Sequence, residues 1–133
     1  MSSTWYIAKE YLKRLELNFE EQGRKTFSLV PQGRTETKQI EVFPGENWVT
    51  LTTELMDISH LESNERSSIC EKLLRTNAKV VEISFGINKN DFIVLRNAVP
   101  VKGISYDAFI SVYEAHLSGI EFFHEKLKDS ILG

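Results

Sequence analysis

The residues of this chain that could do chemistry are three histidines, one cysteine and a scatter of carboxylates. His116 and His124 fall in a segment with helical spacing, about 12 Å apart along its axis at 1.5 Å per residue, which is too far for one metal ion. Glu121 and Glu125 flank His124, the nearest approach to a metal set, but the ordinary place for His116 is a packed seam and for His124 the solvent. Cys70 has no second cysteine to pair with. That suits a reducing compartment, and a free cysteine usually behaves as a small, buried, inert hydrophobe. The acids, Glu20 and Glu21 among them, read as solvated faces. A Walker-type phosphate loop, a dinucleotide-binding glycine motif, a zinc-protease helix and a nucleophile elbow are all missing from the sequence. No catalytic residue, metal ligand or cofactor is therefore expected, and the chain is not expected to be an enzyme.

Two features point to binding instead. Between residues 24 and 38 stand Arg24, Lys25, Arg34 and Lys38 against Glu36 alone. Such a patch could meet an anionic ligand or partner, and the same charges could guard an edge strand against misassembly. The second feature is aromatic. Strand alternation puts Phe43 and Trp48 on the side opposite Val49 and Leu51, where a one-layered sheet should be wet. Large exposed apolar groups mark interaction sites, unless the last helix or a second copy of the chain covers them.

The elements that must position these residues follow from periodicity. Trp5, Ala8, Leu12, Leu15 and Phe19 recur at helical spacing, which predicts a first helix running toward Gly23. The period then becomes two. Phe27 and Leu29, then Ile40 and Val42, then Val49, Leu51 and Leu55 predict three strands joined by short, turn-like connections and hence antiparallel. A second helix is expected over 62–77, with Asn77 as a left-handed cap. Val81, Ile83 and Phe85 predict a strand that turns at 88–91 and returns through Phe92 to Arg96. Ser105 caps a last helix whose seam is Phe109, Tyr113, His116, Ile120, Phe123 and Leu127, with Gly119 marking a close backbone contact. The expected fold class is α+β, a single domain over 1–133 with a five-stranded antiparallel sheet and three helices in the order α-β-β-β-α-β-β-α.

Composition bounds the rest. The chain has 133 residues, 41% of them apolar and 26% charged, as in an ordinary globular domain. A net charge of −3 argues against a nucleic-acid partner. No apolar run approaches the ~20 residues of a membrane span, so no membrane partner is expected. No cationic leader with an apolar stretch follows Met1, so the expected location is cytoplasmic.

The C-terminal half carries a resemblance. Leu73-Leu74-Arg75-Thr76-Asn77-Ala78, the strand Ile83-Ser84-Phe85-Gly86-Ile87, the returning Phe92-Ile93-Val94-Leu95, Pro100, and a Ser105-led helix with Phe122-Phe123 and Leu127 are similar to the YbjN-like family. That family is similar in fold to the class I type III secretion chaperones. The resemblance implies a non-enzymatic, homodimeric, protein-binding module that holds an extended segment of a client. By the same analogy the client-binding segments are the first helix and the strands 26–30, 39–43 and 48–55, with Phe27, Leu29, Ile40, Val42, Phe43 and Trp48 as the partner-binding positions. The alternative is a small regulatory domain that binds an anionic ligand or partner through Arg24, Lys25, Arg34 and Lys38.

Overall fold

The structure, a computed structural model, describes residues 3–23, 25–31 and 38–132, with Leu132 in backbone only. In chain order the elements are α1 (Ser3–Arg14), β1 (Phe19–Gln22), β2 (Thr26–Leu29), β3 (Ile40–Pro44), β4 (Trp48–Asp57), α2 (Ser63–Asn77), β5 (Ser84–Ile87), β6 (Phe92–Pro100) and α3 (Tyr106–Phe122). A π-helical turn over Phe123–Leu127 carries α3 straight into α4 (Lys128–Leu132), so the last helix is one rod.

The α+β class stands, but the sheet has six strands rather than five. Its order is β1-β2-β3-β4-β6-β5, antiparallel throughout. The strand missed from the sequence is β1, and the cause is a helix end without a glycine. Helix α1 stops at Arg14 because Glu16 takes a left-handed conformation, φ 57°. The Leu17 N–H then reaches the Leu12 carbonyl at 3.3 Å and the Glu16 N–H the Lys13 carbonyl at 2.9 Å. That pair of bonds is a Schellman motif. Phe19, which has the right spacing to continue the helical stripe, instead begins β1 and pairs with Leu29.

Three smaller corrections follow. β5 begins at Ser84, leaving Val81 outside the sheet and 82% exposed. Asn77 is the last residue of α2, and the cap is Ala78 in right-handed geometry. The Asn77 amide is used elsewhere: its Nδ2 donates to the Phe85 carbonyl at 2.9 Å and its Oδ1 accepts from the Phe85 N–H at 2.8 Å. Cys70 is exposed, not buried.

The core lies on one face of the sheet. Alternation turns Phe27, Leu29, Ile40, Val42, Val49, Leu51, Leu95 and Val99 inward, where α1 supplies Trp5, Ala8 and Leu12 and α3 supplies Phe109, Tyr113 and Ile120. Phe123 and Leu127 of the π-helical turn stay buried in the same seam. Gly119 lets α3 approach, since a Cβ there would lie 2.8 Å from Leu95 Cδ2 and 2.9 Å from Ile83 Cδ1. Among the described residues, no helix is long and apolar enough to cross a membrane.

Candidate functional site

The buried histidine is structural. His116 is fully buried, with Nε2 2.7 Å from Thr53 Oγ1 and Nδ1 3.0 Å from Asn97 Oδ1. Asn97 donates its own Nδ2 to the Val112 carbonyl at 2.9 Å. Its oxygen is thereby turned to His116 and can only accept, so Nδ1 carries the proton and Nε2 accepts from the Thr53 hydroxyl. Burial pushes the His116 pKa down to about 4, so the ring is neutral near pH 7. The network ties β4, β6 and α3 together and offers nothing to a substrate. Among the described residues, no three histidine, cysteine or carboxylate side chains converge as a metal set.

The six aromatic and aliphatic candidates divide by side of the sheet. Phe27, Leu29, Ile40 and Val42 are buried under the helices as part of the core, because each occupies an inward position of β2 or β3. Phe43 and Trp48 face the other way and are 40% and 52% exposed. The last helix does not cover them, since α3 packs on the opposite face. Of the basic candidates, Arg24 and Arg34 lie outside the described residues. Lys25 precedes β2 and Lys38 lies beyond the end where Leu29 pairs with Ile40. The length of β2, about 13 Å at 3.3 Å per residue, separates them, so these two charges do not form one patch.

Among the described residues, the helices pack on the inner face and leave the outer face uncovered. Its central rows are Glu41 and Phe43 on β3, Trp48, Thr50, Thr52 and Glu54 on β4, and Val94, Arg96, Ala98 and Pro100 on β6. Phe43 pairs with Thr50, and Trp48 with Pro100, which makes Phe43 and Trp48 diagonal neighbours. Such neighbours lie within reach of aromatic side chains. The hairpin between β3 and β4 fixes Trp48. The Gly45 N–H donates to the Trp48 carbonyl at 2.9 Å, and a Cβ on residue 45 would sit 3.1 Å from that oxygen. Asn47 in the same turn accepts from the Val101 N–H at 2.9 Å, tying the hairpin to the end of β6.

Beside Phe43 the face dips into a shallow depression of about 380 Å³ lined by Gln39, Glu41, Phe43, Thr52, Glu54, Asn88 and Phe92. Sequence reasoning named Phe43 but missed the rest. Phe92 and Asn88 belong to the β5–β6 hairpin, and only the order β3-β4-β6 brings that hairpin near β3. Within this lining Asn88 donates its Nδ2 to a Glu54 carboxylate oxygen at 2.8 Å.

No protein-family model matches the chain, and no curated protein matches its sequence. Solved structures do match. A chain of the HopA1–SchA chaperone–effector complex superposes with a TM-score of 0.65 at 10% identity, covering 91% of this chain and 94% of its own. The structure of the Yersinia pestis type III secretion chaperone SycH with a stable fragment of YscM2 gives 0.61 at 14% identity, covering 89% and 97%. YbjN from E. coli gives 0.65 at 14% identity, covering 86% of each chain. The chain therefore has the fold shared by YbjN and these secretion chaperones.

Proposed function

We propose that this protein is a non-enzymatic, chaperone-like module that holds an extended segment of another protein across the outer face of its sheet. The observation that carries this is the pair Phe43 and Trp48, large aromatics held out of the core on a face that no helix among the described residues covers. Exposed apolar groups of this size cost solubility unless a partner uses them. The fold adds support, because its relatives include chaperones solved with bound protein partners. An extended segment lying on a sheet can set alternate side chains against such anchors. Self-association belongs to the same proposal. Away from this face, the most exposed large apolar side chains are Leu74 on α2, at 69%, and Val81 just beyond it. They are the surface we assign to a second copy.

The test starts from peptides selected on the wild-type protein from a random display library. Trp48→Ala should weaken a selected peptide by about 30-fold, the equivalent of a 2 kcal/mol anchor. The unfolding midpoint should not move, since Trp48 is half in solvent. Equal affinity for both proteins would place the binding surface elsewhere. Sedimentation at micromolar concentration should show a dimer that Leu74→Arg dissociates, and a wild-type monomer would remove the self-association claim.

A further inference from the structure

The depression beside Phe43 has a sign. Glu41 and Glu54, on the adjacent strands β3 and β4, line it together with Phe43 and Phe92. Among the described residues, no ion pair neutralises either carboxylate. Arg96 of β6, the register partner of Thr52 on β4, shares the face and is not among the residues that line the depression. The hydrogen bond from Asn88 leaves the Glu54 charge in place and steadies its position. Two carboxylates beside two aromatic rings are complementary to a flat cation. A guanidinium can lie on a ring face while its N–H groups bond carboxylate oxygens, and it gives up hydration more readily than an ammonium.

We propose that the segment held on this face is basic, and that it places an arginine in the depression formed by Glu41, Glu54, Phe43 and Phe92 while an apolar residue of the same segment rests on Trp48. This deepens the functional proposal above and depends on it. Phe43 is shared by the apolar stretch and the depression, so one strand-like segment can fill both.

The probe is a blocked peptide of about ten residues, long enough to cross the sheet, in which leucine and threonine alternate around one central arginine. Two companions carry citrulline or glutamate at the centre. The arginine peptide should bind about ten-fold more tightly than the citrulline peptide, as one cation–π and carboxylate contact allows, and the glutamate peptide should bind weakest. Glu41→Gln combined with Glu54→Gln should erase the arginine advantage, so that the arginine and citrulline peptides bind the variant equally. Both positions face solvent, and a glutamine at 54 can still accept from Asn88, so the fold should survive, as a thermal melt would show. Trp48→Ala should weaken all three peptides alike. The inference is overturned if wild-type protein binds arginine and citrulline peptides equally, if the double variant keeps the advantage, or if the arginine peptide shows no saturable binding. Equal affinities that fall together in Trp48→Ala would overturn the arginine site alone and leave the binding face standing. Affinities that ignore Trp48 would overturn the face itself.

Discussion

His116 shows how a single residue can look like chemistry and serve as structure. It was legible as a seam position from its spacing with Phe109, Tyr113 and Ile120. Its partners were not, because Thr53 and Asn97 lie on strands distant in sequence. A pH dependence follows from its burial. Unfolded, the ring titrates near 6.5; folded, near 4. Between those values the unfolded chain binds the extra proton, so this contribution to stability is complete above about pH 6.5 and fades as the pH falls toward 4. The pKa difference corresponds to roughly 3 kcal/mol. Below pH 4 both states are protonated and the loss levels off. Urea unfolding of wild type and His116→Gln at pH 7 and pH 4.5 should show the wild type losing more stability on acidification. Parallel losses in the two proteins would mean that His116 is not the source.

At the scale of elements, what could be read from the sequence depended on whether the stop signal was chemical or conformational. The last helix was legible because Ser105 is a strong cap and accepts from the Ala108 N–H at 3.1 Å. The first helix ended on a left-handed glutamate, a residue that seldom takes that role, and so β1 was hidden inside an apparent helical stripe. Two element-level predictions follow. Gly119→Ala gains about 1 kcal/mol of helix propensity but drives a methyl into Leu95, which is fully buried and cannot retreat. Overpacking of that kind costs about 1–3 kcal/mol, so the denaturation midpoint should fall, and a rise would show that the core yields there. Asn77 caps the outer edge of β5 by bonding both backbone groups of Phe85. Asn77→Ala strips that cap and should cost about 1–3 kcal/mol. Hydrogen exchange at the Phe85 amide should speed up more than at the Leu95 amide, and equal protection would contradict the capping role.

For the molecule as a whole, alternation alone placed Phe43 and Trp48 outside, because a strand's period of two leaves no other place for them once Val49 and Leu51 are inside. Which inward residues the helices would bury was less legible. Phe27, Leu29, Ile40 and Val42 have the composition of a binding stripe, and only the packing of α1 and α3 shows them as core. The depression beside Phe43 was not legible at all, since strand order brings Asn88 and Phe92 to it. One surface of the sheet is thus spent on stability, and the other is the face we propose for a partner. Amide shift mapping of the labelled protein, titrated with a peptide selected on it, tests that division most directly. The largest shifts should centre on Phe43, Trp48, Thr50 and Ala98, with the Trp48 indole among them. Shifts confined to α1, β1 or α2, with these residues unmoved, would contradict the assignment of the outer sheet face as the binding surface.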